Sequence, residues 1–290
     1  MLANVSERSK TTIATLMARK AEGRKFAVLT CYDFSTARLM AEAGIDTLLV
    51  GDTYAEVCLG HETTLPATVD HLVTICGGVR RGAPLCYLIG DMPFLSYQVN
   101  TDDAIRNAGR FMVGGGCDCV KLEVDRRLAE TVSAMSRAAI PVMAHLGLKP
   151  QSVHSLGGYK TQGRRAEDAA RIVQDAAIVE QAGAVALLLE GVPAEVAALI
   201  SSRTKLPVIG IAAGGGCDAQ VLVVHDMLGF SSGHPPKSVK RYANLHETLV
   251  SAFRAYADDV MSQKFPTESM AVSLDPHEAR RLRELLAAQG

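Results

Sequence analysis

Seven short, almost wholly apolar runs recur along this chain, each followed by a helical pattern, and that alternation leaves few folds open. The runs are FAVLTCYD (26–33), DTLLVGD (46–52), PLCYLIGD (84–91), CDCVKLE (117–123), PVMAHLG (141–147), VALLLE (185–190) and PVIGIAA (207–213). Continuous rather than alternating hydrophobicity predicts strands covered on both faces, as in a parallel sheet. In RRAEDAARIVQDAAIVEQAG, Ala169, Ile172, Val173, Ala176 and Val179 fall at helical spacing, and Gly183 supplies a stop. Seven such units in order, with a weaker eighth strand near Ser238 to Lys240, predict an α/β fold of the (β/α)8 TIM-barrel type. A doubly wound open sheet is the competing topology.

A closed barrel uses all 290 residues as one domain: a leading helical segment 1–23, the barrel over 24–264, and an extension with a final helix over 265–290. Ser6 to Glu22 reads as a leading helix able to cover the barrel bottom. At the far end, Asp275, Pro276 and Glu278 supply an N-cap, a favourable first position and a capping-box acid. Leu282, Leu285 and Leu286 give that extra helix an apolar stripe, which packs either on a neighbouring subunit or back on its own chain.

Composition narrows the partners. No apolar stretch reaches the roughly 18 to 20 residues of a spanning helix, and the polar start MLANVSERSKTTIATL lacks a secretory layout. A cytoplasmic location is expected. Lys+Arg 30 against Asp+Glu 31 leaves a net charge of −1, which supplies no attraction for nucleic acid or a membrane. The seven cysteines are odd in number and form no C-x-x-C pair, as expected of reduced, buried, structural thiols.

The chemistry concentrates where apolar runs end in an acid. Asp52, Asp91 and Glu123 close the second, third and fourth runs, so a barrel gathers them on the face that carries active sites. Several carboxylates suit a hard divalent ion, most simply Mg²⁺; alone, each could instead cap a helix. Lys121 and Glu123 are two apart and share a strand face, where the lysine can bind a substrate carboxylate or carbonyl, pair with Glu123, or form a Schiff base. Glu190 ends the sixth run, where desolvation suits a proton acceptor; the plainer role is capping the helix opened by Pro193. His145 lies in the inward register two residues beyond Met143, a candidate substrate contact or a hydrogen-bonded core histidine. The long connection LKPQSVHSLGGYKTQGR has the look of a lid. Together these residues describe a metal-assisted enzyme: a divalent ion holds an α-oxo acid while a base removes a proton beside the carbonyl.

The segments YDFSTARLMAEAGID, VGDTYAEVCLGHETTLPATVDH, DMPFLSYQ, HLGLKPQSVHSLGGYKTQGR, LEGVPAE and GCDAQVLVVHDMLG resemble the ketopantoate hydroxymethyltransferase family, from about Thr30 to Pro266. The resemblance implies a barrel of the phosphoenolpyruvate/pyruvate group. It implies transfer of a one-carbon unit from 5,10-methylenetetrahydrofolate to 3-methyl-2-oxobutanoate, on the way to pantothenate and coenzyme A. It places magnesium on Asp52, Asp91 and Glu123, the oxo acid on Asp52, Thr53, Asp91 and Lys121, and the proton acceptor on Glu190. It also implies a homo-oligomer, commonly a decamer in the family.

The chain departs from the family pattern in places. GDSLGM reads GDTYAE here, so Thr53 replaces serine with its hydroxyl kept, and Tyr54, Ala55 and Glu56 bear on substrate choice. Gly191 stands where a cysteine is usual, and GIGAGPGCDGQ reads GIAAGGGCDAQ. The competing functions are a paralogue using another 2-oxo acid, a carbon–carbon lyase or mutase on the same barrel, and a silent barrel serving as a binding module. No K-K-C-G-H-type motif supports the lyase, and the retained polar positions oppose the silent barrel.

Overall fold

The computed structural model of the chain describes residues 9–230 and 237–288. Its centre is a closed barrel of eight parallel strands in chain order. They are β1 (Phe26–Thr30), β2 (Thr47–Val50), β3 (Tyr87–Asp91), β4 (Cys119–Glu123), β5 (Val142–Gly147), β6 (Ala186–Glu190), β7 (Val208–Ile211) and β8 (Ala219–Leu222). The helices that pack outside include α2 (Phe34–Glu42), α4 (Val69–Gly82), α5 (Thr101–Val113), α6 (Ala129–Arg137), α8 (Ala166–Gln181) and α9 (Ala194–Arg203), with α1 (Ile13–Ala21) preceding the barrel. Short turns of helix, α3 (Tyr54–Val57) and α7 (Val153–Leu156), sit in the loops after β2 and β5.

Closure excludes the open sheet, because β1 pairs with β8 from Phe26↔Ala219 to Leu29↔Leu222. The eighth strand is not where the sequence placed it. Ser238 to Lys240 forms a turn and irregular chain, while AQVL at 219–222 completes the barrel. Four residues with a polar Gln220 among them, behind a glycine-rich loop, carry too little hydrophobic signal to declare a strand. Pairing on both edges makes them one.

Parallel strands buried on both faces divide the core in two. Inside the barrel lie Val28, Leu49, Tyr87, Ile89, Met143, Leu188 and Ile209; between sheet and helices lie Val50, Leu88, Leu122, Leu146, Leu187 and Val208. Gly183 (φ +103°) ends α8 as its sequence position suggested, and a Cβ there would run into Ser136 Oγ.

The barrel bottom is closed by α1. Ser6 to Arg8 lie outside the described residues. The helix begins only at Ile13, because the Thr12 hydroxyl caps it and Thr15 returns a bond to the Thr12 backbone. Leu16 enters the barrel interior fully buried. The Arg19 guanidinium pairs with Asp46 ahead of β2, and Lys20 Nζ lies 2.6 Å from Asp218 ahead of β8.

At the other end, α10 (Val224–Leu228) is followed by α11 (Leu245–Met261) and α12 (Pro276–Ala287). The Asp275 carboxylate caps α12 through the His277 N–H at 2.8 Å. From Ser251 to Ala288 every residue except Ala279 is exposed, so α12 does not fold back onto its own barrel. The cysteines are free, and all are buried except Cys58, which is exposed.

Candidate active site

The inward positions of neighbouring strands rise in steps around a tilted barrel. Asp91 on β3 faces Lys121 on β4, Glu123 faces His145 on β5, and Gly147 faces Glu190 on β6. Asp52, two residues past β2, joins them: its backbone N–H donates to Asp91 Oδ2 at 3.0 Å. Asp52, Asp91, Lys121, Glu123 and His145 are buried and Glu190 is partly exposed, all at the carboxyl end of the barrel.

Charge in this cluster is out of balance. Lys121 Nζ lies 2.7 Å from Asp91 Oδ1. Burial acts to lower the Lys121 ammonium, but Asp91, Asp52 and Glu123 outweigh it and hold the group above the usual lysine value. One cation thus serves three buried acids. Burial and then the Asp52 charge push Asp91 up to about 8 against the pull of Lys121. Burial drives Glu123 well above the carboxylate range, with Asp52 and Asp91 adding to it. Burial raises Glu190 to about 7, helped by Asp52 and Glu56 and opposed by Lys121.

His145 stands between the acid cluster and Glu190, with its Nε2 making no hydrogen bond. Its Nδ1 lies 3.3 Å from Lys121 Nζ, and its Nε2 lies 3.4 Å from Glu190 Oε2. An ammonium has only protons to donate, so Nδ1 accepts and the neutral ring carries its hydrogen on Nε2, toward Glu190. Burial, with Lys121 and Lys149 nearby, holds the imidazole well below its ordinary pKa, so it is neutral.

Two residues outside the sequence-derived set bind the site together. Gln151 Nε2 donates to Asp52 Oδ2 and to the Met92 carbonyl, both at 2.9 Å. The Gln151 backbone N–H donates to Glu123 Oε2 at 3.0 Å, and Tyr97 O–H donates to Gln151 Oε1 at 2.7 Å. Tyr97 also accepts from the Glu123 N–H at 3.0 Å. Both residues lie inside recognisable motifs, DMPFLSYQ and KPQS. Being uncharged, they give no signal to a search for carboxylates.

The donors fit a hard divalent cation by chemistry: all oxygen, an unmatched negative charge, and a buried Glu123 Oε1 with no hydrogen-bond partner. They do not form a closed cage. Among the described residues no group of three or more His, Cys, Asp or Glu has the spacing to hold a metal. Asp52 and Asp91 are the near pair, and Glu123 stands beyond Gln151. Thr53 lies partly buried at the rim, its hydroxyl 2.7 Å from Tyr32 O–H. The lid after β5 crosses the mouth, where Gln162 N–H donates to the Gly191 carbonyl at 2.8 Å.

A closed eight-stranded barrel with a lysine, buried acids and a carboxyl of raised pKa at its carboxyl end defines an enzyme of the TIM-barrel class. Residues 10–268 match the sequence profile described as ketopantoate hydroxymethyltransferase. The chain belongs to the ketopantoate hydroxymethyltransferase family. Curated relatives, each named 3-methyl-2-oxobutanoate hydroxymethyltransferase, agree. That of Koribacter versatilis is 44% identical over 279 residues, covering 96% of this chain and 94% of the relative. That of Trichlorobacter lovleyi is 46% identical over 266 residues, covering 92% and 100%.

Solved structures share the fold at low identity. A phosphonopyruvate hydrolase complexed with oxalate and Mg²⁺ superposes with TM-score 0.58 at 14% identity, covering 96% of this chain and 98% of that one. A 2,3-dimethylmalate lyase, titled a member of the PEP mutase/isocitrate lyase superfamily, gives 0.56 at 17% identity, covering 96% and 97%. These likenesses speak to the barrel fold alone.

Proposed function

We propose that the chain transfers a hydroxymethyl group from 5,10-methylenetetrahydrofolate to 3-methyl-2-oxobutanoate, giving 2-dehydropantoate for pantothenate and coenzyme A synthesis. The observation that carries this reading is Glu190: a carboxyl raised to about 7, against a neutral His145, across the barrel mouth from the Asp91–Lys121 pair. A base of that pKa is matched to proton abstraction near neutral pH.

Asp52 and Asp91 would hold Mg²⁺, or another divalent ion, with Glu123 reaching it directly or through water. When bound, the ion withdraws electron density from the 2-oxo oxygen and acidifies the adjacent C3–H. Lys121 and Thr53 bind the oxo acid together with the two aspartates. Glu190 accepts the C3 proton, and His145 Nε2–H steadies the carboxylate that does so. Water opens the folate methylene bridge, breaking its two C–N bonds to give formaldehyde and tetrahydrofolate; the C3 carbanion adds to the formaldehyde carbon, and the oxygen takes up a proton to become the hydroxyl. The test is a panel of 2-oxo acids with purified protein, Mg²⁺ and the folate donor. Product from 3-methyl-2-oxobutanoate supports the reading, and turnover of a different oxo acid in preference to it overturns the substrate assignment.

The same reading keeps the chain as one barrel domain with segments 1–23, 24–264 and 265–290, in the cytoplasm, as a homo-oligomer. Among the described residues no helix is long and apolar enough to cross a membrane. The oligomer is supported by an apolar groove of about 770 Å³ over β1 and β8, lined by Leu29, Leu39, Met40, Leu222 and Met227, with Leu245 on its rim. There α11 starts and then leaves the barrel, carrying Leu249, Phe253, Tyr256 and Val260 along one side at helical spacing. A helix from a second copy is the occupant we assign to that groove.

A further inference from the structure

Glu56 is an acid at the barrel mouth that the reaction above does not use. It lies on α3, half-buried, where the family pattern GDSLGM has methionine. Its Oε1 accepts a hydrogen bond of 3.0 Å from Tyr159 O–H, across 103 residues of chain. Tyr159 belongs to the lid, whose two ends are tied to catalytic strands: Gln151 N–H to Glu123 Oε2 and Gln162 N–H to the Gly191 carbonyl.

Between those anchors run α7 and a glycine turn, closed by the Gly158 N–H on the Val153 carbonyl at 3.0 Å. Gly157 and Gly158 have φ of +66° and +108°, and a Cβ on Gly158 would meet nothing within 4 Å. The neighbouring side-chain bonds are local, Ser155 to the Ser152 carbonyl and Gln162 to the Lys160 carbonyl. Tyr159 to Glu56 is therefore the side-chain hydrogen bond, among the described residues, that ties the middle of the lid to the β2 loop.

We propose that Glu56 is a positioning residue: by accepting from Tyr159 it latches the lid across the mouth between Asp52 and Glu190. Burial and Glu56, then Asp52 and Glu190, all act to raise the Tyr159 phenol, so its O–H stays a donor. A methionine thioether is a weak acceptor and cannot hold a phenol this way, so the latch distinguishes this chain from the GDSLGM pattern. What the latch closes over rests on the transferase reading; the latch itself does not.

Limited trypsin digestion of the full chain without substrate tests it, read at Lys160 and normalised to cleavage of the same site in denatured chain. Cleavage of a transiently opened segment follows the population of the open form when closing is fast. Tyr159→Phe and Glu56→Met should each speed cleavage by about fivefold, the worth of one net hydrogen bond. Glu56→Gln, whose amide oxygen still accepts, should cleave at close to the wild-type rate, and the Tyr159→Phe/Glu56→Met double variant no faster than either single. Wild-type rates in both single variants, a Glu56→Gln rate equal to that of Glu56→Met, or additive effects in the double variant would overturn the latch. Because no substrate is present, such a failure leaves the transferase reading to its own assay.

Discussion

His145 Nε2 stands 3.4 Å from Glu190 Oε2, while Nδ1 of the same ring stands 3.3 Å from Lys121 Nζ. The ring therefore stands between the buried acid cluster and the carboxyl proposed to take a proton. The Nε2–H makes no hydrogen bond in this structure; closing the 3.4 Å gap would make it a donor to Glu190, and a donor favours a carboxylate's charged form.

That relation has a pH signature. A base works as its carboxylate, so enolisation should rise with pH and level off above about 7, the value burial gives Glu190. Removing the donor in His145→Leu should move this limb to higher pH, with most activity recovered above it. Rates of C3 hydrogen exchange across pH 5.5 to 9 (about the window a shifted carboxyl spans) measure the limb. An unmoved limb would mean that His145 does not act on Glu190.

Asp91→Asn keeps the size of the side chain but removes the charge that pairs with Lys121. Affinity for the divalent ion, read by titration calorimetry or Mn²⁺ resonance, should fall by more than about 100-fold, beyond the usual loss for an outer-shell partner. Lys121 retains Asp52 and Glu123 as neighbouring charges, so the fold should persist by circular dichroism. Unchanged ion affinity would remove Asp91 from the metal site.

Leu16→Ala should cost about 2–5 kcal/mol of stability, because a fully buried side chain leaves a cavity in a closed interior. Thermal unfolding checks it, and a shift within error would mean that α1 does not plug the barrel.

Residues were legible in the sequence to the degree that they broke a local pattern. Asp91, Lys121, Glu123 and Glu190 stand out because a charge inside or at the end of an apolar strand is costly without a use. Strand alternation showed seven of the eight barrel strands, but β8 is made by its neighbours: Gln220 and three small or aliphatic residues become a strand only between β7 and β1. Among the described residues α1 starts at Ile13, set by the Thr12–Thr15 exchange of bonds, which residue types alone do not reveal. Gln151 and Tyr97 were passed over for a different reason. Their roles lie in neutral hydrogen bonds between loops far apart in sequence, which no spacing rule encodes.

The exposed stripe on α11 gives a further expectation. Phe253 is 66% exposed in the isolated chain, and the partner's groove assigned to it above would make Phe253→Glu disruptive. Light scattering should show wild type as an oligomer and the variant at a lower mass. A wild-type monomer, or a variant of undiminished mass, would contradict the assigned occupant.

The central claim is that Glu190 takes the C3 proton of the oxo acid. Glu190→Gln preserves size and hydrogen bonding but cannot accept that proton, and loss of a general base typically slows a step by about 10² to 10⁴. Exchange of the C3 hydrogen of 3-methyl-2-oxobutanoate into deuterated solvent, with Mg²⁺ and without folate, isolates this step from carbon–carbon bond formation. Wild type should exchange readily, and the variant should exchange slower by that factor with similar affinity for the oxo acid. Exchange at the wild-type rate in Glu190→Gln would contradict the account and leave Glu190 as a helix cap or a folate contact.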